Sequence, residues 1–244
     1  RNWMPMTYYC THSLAPILYI TDTMPTQVNA LVLPRDEADV EHFGKTARSN
    51  DLASVILATM DNGAVAKLLW GQLRGLGAWT SLRCLRGMME NLRTDAKMLR
   101  VRREPFDRRE GEPLEQVYLP EFPKPYDKLG LDPLGGGDQI VLHEFVRAVR
   151  RDERPFFDVH RAVAMASVGI QAYRSALAGG APMPIPDFRK PAERRKYAND
   201  DWSPAPEQRK AGQPWPSVLG RVRPSDAAMK IAKDHWKENG YEAD

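Results

Sequence analysis

The stretch that decides the fold is residues 52–69, which read LASVILATMDNGAVAKLL. Two apolar runs, 52–60 and 64–69, flank the turn Asp61-Asn62-Gly63. Asn-Gly between two such runs is typical of a tight β-hairpin, in which both central residues need positive φ angles. The stretch therefore predicts two antiparallel strands, with Asn62 and Gly63 both in the left-handed region.

Further strand-like segments lie on both sides of this hairpin. Residues 26–33 alternate in part and carry β-branched side chains, which predicts a strand. Four more segments, joined by short turns, indicate strands at residues 79–85, 87–92, 98–102 and 114–119. Because no helical pattern separates them, the sequence predicts an antiparallel or mixed sheet and excludes a βαβ nucleotide-binding unit in this region.

Helical patterns flank these strands. Residues 1–22 predict a loop followed by a helix, with Pro16 tolerated in its first turn. Asp138 and Asp158 are predicted to be the N-caps of two later helices, the second ending at Gly179-Gly180. Ser225 is predicted to cap a last short helix. Together these patterns predict an α+β fold, with helices on one face of a large, predominantly antiparallel sheet.

Composition indicates a domain boundary near residue 188. Residues 1–188 carry the predicted sheet and its main helices, and we expect them to form one α/β domain. Residues 187–223 are rich in proline, arginine, lysine and tryptophan and show no periodicity. We therefore expect residues 189–244 to be a C-terminal extension that ends in a short helix.

The overall balance of residues excludes several functional classes. The 244 residues suffice to bury a sizeable core. A net charge of +3, from 35 basic and 32 acidic residues, argues against nucleic-acid or membrane-surface partners. Cys10 and Cys84 lie far apart, which argues against a disulfide framework or a zinc site. We expect a cytoplasmic protein, since no apolar run approaches the roughly 20 residues needed to cross a bilayer.

Side chains suited to chemistry concentrate in residues 7–16, which read TYYCTHSLAP. His12 lies close to Tyr8 and Tyr9, and an apolar segment follows. A histidine exchanges a proton near neutral pH, as the oxidation of a substrate hydroxyl requires. A lone histidine is nevertheless more often structural than catalytic, and core packing would explain Tyr8 and Tyr9 equally well.

Other candidate residues have ordinary alternatives. The turn at Gly135-Gly136-Gly137-Asp138 is able to direct backbone N–H groups at a substrate, or is simply a flexible turn before a helix. Trp3, Trp70 and Trp79 are candidates for the floor of a sugar site, or are core residues. No His/Asp/Glu cluster has the spacing of metal ligands, so we expect no metal.

Three separated pieces of the sequence resemble the C-terminal part of the Gfo/Idh/MocA-type oxidoreductases, the family of glucose–fructose oxidoreductase and inositol dehydrogenase. They run from about residue 7 to residue 188. The pieces are Thr11-His12 with Met24-Pro25-Thr26-Gln27-Val28; Gly135-Gly136-Gly137-Asp138 before Phe145; and Arg154-Pro155 to Asp158 with the following helix, Gly179-Gly180 and Pro182-Met183-Pro184-Ile185-Pro186.

The resemblance implies a complete enzyme of two domains, an N-terminal Rossmann domain for NAD or NADP and a C-terminal sheet domain. We expect this chain to be the second alone, because it has neither a Gly-x-Gly-x-x-Gly after a strand nor the family's Glu-Lys-Pro motif. NAD or NADP would act in the complete enzyme, with none bound to this chain alone. The implied partners are the missing Rossmann domain, a sugar or polyol substrate, and further copies of the chain, bound through the sheet.

The resemblance also assigns roles to residues. By matching position, His12 corresponds to the family's active-site histidine; many members carry an aspartate four residues earlier, where this chain has Tyr8. Tyr9 is similar to the tyrosine of the superfamily's NAD-dependent glycosidases, which implies acid/base assistance or sugar binding. The predicted catalytic residues are His12 and Tyr9. The predicted substrate-binding residues are Tyr8, Trp3, Gly136, Gly137 and Asp138.

Three functions follow from these observations. The leading hypothesis is the substrate-binding and oligomerisation domain of an NAD(P)-dependent oxidoreductase that acts on a sugar or polyol by hydride transfer. The tyrosine–histidine pair leaves open an enzyme that cleaves glycosides with the help of NAD. A non-catalytic assembly module is the alternative from a different class.

Overall fold

The fold is that of a computed structural model, which describes residues 4–35, 47–73, 78–129 and 137–241. The chain forms two compact units: Arg1–Leu73 with Val159–Asp244, and Arg74–Asp158. Each unit contains one four-stranded sheet, and all the paired strands are antiparallel. The α+β class is therefore confirmed, with two sheets where one large sheet was expected. The first unit includes the C-terminal segment, and the expected boundary at residue 188 stays a prediction.

The sheet of the first unit consists of β1 (Pro25–Leu33), β2 (Ala53–Met60), β3 (Val65–Gly71) and the short β8 (Met183–Pro184), in the order β3-β2-β1-β8. All three of the long strands were predicted. Alternate side chains of these strands face opposite sides of the sheet. One side is covered by helices, as the sequence predicted, and its buried residues form the core.

The predicted hairpin is confirmed, but the geometry predicted for its turn is wrong. The Met60 N–H donates to the Ala64 carbonyl at 2.8 Å, and the Gly63 N–H donates to the Met60 carbonyl at 3.0 Å. Only Gly63 has a positive φ, of 84°, whereas Asn62 does not. The turn therefore contains one left-handed glycine in a three-residue loop, and the Asn62 side chain accepts a hydrogen bond from the Ala64 N–H at 3.0 Å.

The helices of the first unit begin with a 3-10 helix, Met6–Cys10, which continues directly into α1 (Thr11–Thr21). Because α1 begins at Thr11, Pro16 lies in its interior and not in its first turn, contrary to the prediction. Proline has no N–H, so it cannot donate to the carbonyl of His12 four residues earlier. The carbonyl of the candidate catalytic residue therefore lacks its usual bond within the helix.

The remaining helices of the first unit are α3 (Val159–Leu177), α4 (Pro191–Lys196) and α5 (Asp226–Glu238). The end of α3 is as predicted: Gly179 and Gly180 have positive φ, and the Gly180 N–H donates to the Ser175 carbonyl at 2.8 Å. The Ser225 hydroxyl caps α5 by accepting from the Ala228 N–H at 3.1 Å. None of the described helices is long and apolar enough to span a membrane.

The second unit contains a sheet of four sequential strands: β4 (Ser81–Cys84), β5 (Gly87–Asn91), β6 (Leu99–Arg103) and β7 (Glu115–Tyr118). All four were predicted. Its helix α2 spans Gly137–Arg151. Asp138 is therefore the second residue of α2 and not its N-cap, contrary to the prediction; an acidic side chain in the first turn still complements the helix dipole.

Candidate functional site

Three aromatic rings lie together in the first unit: those of Tyr9, His12 and Trp70. The ring centroids are 5.9 Å apart for Tyr9 and His12, 5.5 Å for Tyr9 and Trp70, and 5.6 Å for His12 and Trp70. The interplanar angles are 20°, 10° and 15°, so the three rings are nearly parallel. We call this group the aromatic cluster.

The local sequence explains why these rings meet. A 3-10 helix repeats every three residues, so the continuation of Met6–Cys10 into α1 places Tyr9 and His12 on the same side. Trp70 follows the buried residues Ala66 and Leu68 at alternate positions of β3, so it faces the helix-covered side of the sheet. Tyr9 and Trp70 are half-buried, whereas His12 is exposed. The cluster thus presents an imidazole to solvent beside two larger rings.

Close packing against α3 fixes the position of the 3-10 helix. A Cβ added at Gly169 would lie 2.9 Å from the Tyr8 Cα and 3.0 Å from the Thr7 carbonyl oxygen, so only glycine permits this approach. Cys10 is fully buried, and its burial raises the pKa of the thiol to about 12. Cys10 is therefore a protonated core residue and not a nucleophile.

Tyr8 contacts a different part of the unit from Tyr9. Its ring lies edge-on to that of Tyr173 in α3, with centroids 6.5 Å apart. Burial raises the pKa of Tyr8, an effect that Arg174 opposes. Consecutive side chains of a 3-10 helix point about 120° apart, which explains why the two tyrosines diverge. A role for Tyr8 in substrate binding stays a prediction.

The structure describes two of the other predicted site residues. Gly137 and Asp138 lie at the start of α2, in the second unit, and both are exposed. Trp3 and Gly136 lie outside the described residues. The binding roles of these four residues stay predictions.

Arg48 was not predicted from the sequence, and its charge interacts with Tyr9 of the aromatic cluster. Arg48 is half-buried, and its Nε is buried without a hydrogen-bond partner in the part of the chain that the structure describes. Burial lowers the pKa of Arg48, while the nearby Tyr9 raises it. No sequence signal identified Arg48, because residues 34–50 read as an irregular charged segment.

The described residues do not fit a dinucleotide cofactor. Both described sheets are antiparallel, whereas nicotinamide dinucleotides bind at parallel βαβ units. Nor do three or more His, Cys, Asp or Glu side chains gather anywhere in the described ranges in a way that would hold a metal ion.

A comparison with protein families identifies one matching segment. Residues 120–194 match the family described as glycosyl hydrolase 109, C-terminal domain. The segment includes all of α2 and α3. None of the curated proteins matches this sequence.

Several solved structures share the fold at low sequence identity. An oxidoreductase domain protein from Kribbella flavida is 16% identical with a TM-score of 0.55; the match covers 73% of this chain and 49% of that one. An NAD binding oxidoreductase from Klebsiella pneumoniae is 15% identical with a TM-score of 0.55, covering 72% and 49%. An aldose-aldose oxidoreductase from Caulobacter crescentus, complexed with glycerol, is 17% identical with a TM-score of 0.50, covering 72% and 45%.

The match therefore spans about half the length of each of these structures. At this level of identity the likeness shows the fold. Strands β1–β3 and the helices packed on them agree with the resemblance inferred from the sequence. The matched segment agrees with it as well. The chain has the fold of the C-terminal part of the Gfo/Idh/MocA-type oxidoreductases.

Proposed function

We propose that this chain is the substrate-binding and oligomerisation domain of an NAD(P)-dependent oxidoreductase that acts on a sugar or polyol by hydride transfer. The observation that carries the proposal is the aromatic cluster, which places the predicted catalytic residues His12 and Tyr9 against Trp70. The oxidoreductase fold of the solved relatives supports the reaction class.

The cluster has the features of a sugar platform. The C–H face of a sugar ring packs on aromatic rings, while its hydroxyl groups remain available for hydrogen bonds at the edge. Tyr9 and Trp70 provide such a surface, and they are half-buried and therefore held in place. The Tyr9 hydroxyl is a donor and acceptor at the same position.

His12 is the proposed proton acceptor. Oxidation of a secondary alcohol releases a hydride and a proton, and a neutral imidazole takes up the proton from the hydroxyl. The exposed ring of His12 is open to a substrate that approaches the cluster. NAD or NADP, when bound by a Rossmann domain outside this chain, supplies the hydride acceptor.

The outer face of the first sheet supports the proposed homo-oligomer. Leu31, Leu57 and Leu69 are 60%, 45% and 57% exposed, on three adjacent strands. An apolar patch on neighbouring strands is typical of a protein interface. We expect Leu31→Glu to reduce the molecular mass measured by light scattering, whereas Leu219→Glu, at a 63% exposed residue outside the sheet, leaves it unchanged. A wild-type monomer at micromolar concentration would contradict the interface.

Glycoside cleavage is the second candidate function. The match of residues 120–194 to a glycosyl hydrolase family favours it, as does the stacking of Tyr9 on His12. A non-catalytic assembly module rests only on the apolar outer face of the sheet, and it leaves the aromatic cluster without a role.

The deciding experiment uses the protein that contains this chain together with its cofactor domain. Free sugars and matched methyl glycosides are supplied with NAD or NADP, and reduced nicotinamide and released methanol are both measured. We expect net reduction of the nicotinamide with free sugars. Methanol release without net reduction would establish glycoside cleavage instead, and inactivity in both assays would favour the assembly module. NAD is also titrated against the 244-residue chain, and tight binding would contradict a separate cofactor domain.

A further inference from the structure

Arg48 lies in the segment that leads into β2, and its charge interacts with Tyr9 of the aromatic cluster. The segment is tied to the start of the 3-10 helix, because the Asn50 side-chain amide donates to the Met4 carbonyl. Asn50 is almost completely buried, at 1% exposure, so this link is a fixed part of the fold. Tyr9 is close enough to raise the pKa of Arg48. The cluster and Arg48 thus belong to one corner of the first unit.

Among the residues that the structure describes, no carboxylate pairs with the charge of Arg48. A guanidinium remains charged in proteins, and burying a charge is costly unless it is paired. Arg48 forms no ion pair with any described residue, and its Nε has no acceptor among them. Burial has the largest effect on the pKa of Arg48 and lowers it, and the phenol of Tyr9 acts in the opposite direction.

Four other described arginines also have a guanidinium nitrogen that is buried without a hydrogen-bond partner. One of them, Arg35, donates through another nitrogen to the Gln72 side-chain oxygen at 2.9 Å. The other three each have a carboxylate beside them. The pairs are Arg100 with Glu90, Arg147 with Glu144, and Arg161 with Asp22. Arg48 differs from these four arginines because the group that acts on it is the phenol of Tyr9, and no carboxylate or amide oxygen among the described residues pairs with it.

We propose that Arg48 binds an oxyanion of the substrate, a carboxylate or a phosphate group, and that the substrate is an acidic sugar or polyol. The inference rests on the proposed function, because it takes the aromatic cluster as the sugar platform. The planar guanidinium presents several N–H donors in a fixed arrangement that matches carboxylate and phosphate oxygens. A sugar ring on Tyr9 and Trp70 would direct its anionic substituent toward this charge.

The test is a binding measurement by calorimetry on the full 244-residue chain, so it requires no turnover. Glucose, glucuronate and glucose 6-phosphate share one ring and differ in the charged group. We expect one of the two anionic sugars to bind at least about 10-fold more tightly than glucose, the stronger of the two identifying carboxylate or phosphate as the group. Acetate and inorganic phosphate, which lack the ring, should bind much more weakly than either anionic sugar.

Two variants and a control assign the preference to one residue. Arg48→Gln should weaken binding of the preferred anionic sugar by about 10- to 100-fold and leave glucose nearly unchanged. Arg48→Lys keeps the charge and should retain part of the preference. Arg161→Gln removes a guanidinium that already has a carboxylate partner, and should retain all of it.

The outcomes separate this inference from the proposed function. Equal binding of glucose and the anionic sugars, no sugar binding at all, or an unchanged preference in Arg48→Gln would each overturn the inference. If neutral sugars are oxidised and Arg48→Gln has no effect, the proposed function stands without it. If anionic sugars bind through Arg48 but no oxidation occurs in the complete protein, the anion site stands and the proposed reaction fails.

Discussion

The two units of this chain bury their apolar residues to very different extents. In the first unit Leu14, Leu18, Ile56 and Val168 are 0% exposed and belong to one continuous core. In the second unit no residue is buried among those described, 78–129 and 137–158. Its helix α2 leaves Val141, Leu142, Phe145 and Val149 between 62% and 70% exposed.

This difference indicates that the first unit has the rigid core needed to hold site residues in fixed positions. The aromatic cluster is built on the 3-10 helix, α1 and β3, which pack on the closed core of the first unit. The sheet of the second unit is instead crossed by pairs of charged residues, such as Glu90 opposite Arg100. Arg100 has a 40% exposed side chain, and ion pairs that reach the surface contribute about 0–1 kcal/mol each, far less than a buried leucine.

The comparison is tested most strongly by removing one leucine from each unit. Leu18→Ala should lower the free energy of unfolding by about 2–5 kcal/mol, because it leaves a cavity in a closed core. Leu142→Ala, at a residue that is 62% exposed, should change it by about 0.5 kcal/mol or less. Urea denaturation followed by circular dichroism measures both. Equal losses would contradict the difference between the units.

Two glycine substitutions, one in each unit, should also differ in their effect on the free energy of unfolding, but by a smaller amount. Gly169→Ala should cost about 1–3 kcal/mol, because its Cβ would collide with the backbone of Tyr8 and Thr7. Gly137→Ala meets no atom within 4 Å and should be neutral or slightly stabilising, since alanine favours a helix. Urea denaturation of the two variants measures these changes. A tolerated Gly169→Ala would contradict the close packing of α3 on the 3-10 helix.

Asp51 of the first unit should make stability depend on pH. It is fully buried and accepts hydrogen bonds from the Ser217 hydroxyl at 2.6 Å and the Val218 N–H at 3.2 Å. Burial raises the pKa of Asp51, although these hydrogen bonds lower it. The folded state therefore favours the protonated form, and the stability that this provides is complete below the unfolded pKa of about 3.9 and lost as pH rises through the folded pKa.

Asp51→Asn removes this ionisable group. The unfolding free energy of the variant, minus that of the wild type, should therefore increase as pH rises from about 4. Denaturation curves at a series of pH values measure this difference, with Asp138→Asn as a control at an exposed carboxyl. A difference that is constant or decreases with pH would show that the folded state does not raise the pKa of Asp51.

The smallest effect is expected in the sheet of the second unit. Glu90→Gln removes the partner of Arg100, whose Nη1 lies 3.2 Å from a Glu90 carboxylate oxygen. The cost should be below about 1 kcal/mol and should decrease further at high salt. Denaturation at low and high salt checks this. A loss of several kcal/mol in the free energy of unfolding would contradict this account, because it would equal the effect of removing a buried leucine.

The sequence predicted the elements that depend on local pattern. All the long strands, the end of α3 at Gly179-Gly180 and the Ser225 cap follow from apolar periodicity and turn chemistry. The division into two sheets was not predicted, because the pairing of distant strands leaves no local signal. The turn at Asn62 was mispredicted, because a three-residue loop also satisfies an Asn-Gly pair.

The candidate site was predicted only in part, because some of its contacts depend on local pattern and others on the pairing of distant strands. Tyr9 and His12 are three residues apart, so a helical pattern alone brings them together. Trp70 joins them only through the register of β3, which the sequence left open among three tryptophans. Arg48 was missed because its interaction with Tyr9 depends on tertiary packing, which residue type alone does not indicate.

The central claim is that His12 exchanges a proton with a sugar hydroxyl on the aromatic cluster. The most direct test is the kcat for sugar oxidation by the complete protein carrying His12→Gln, with His235→Gln, at a half-buried residue of α5, as the control. We predict a loss of about 10²- to 10⁴-fold in kcat for His12→Gln, with little change in KM, and near wild-type activity for His235→Gln. A kcat within a few-fold of the wild type for His12→Gln would contradict the account.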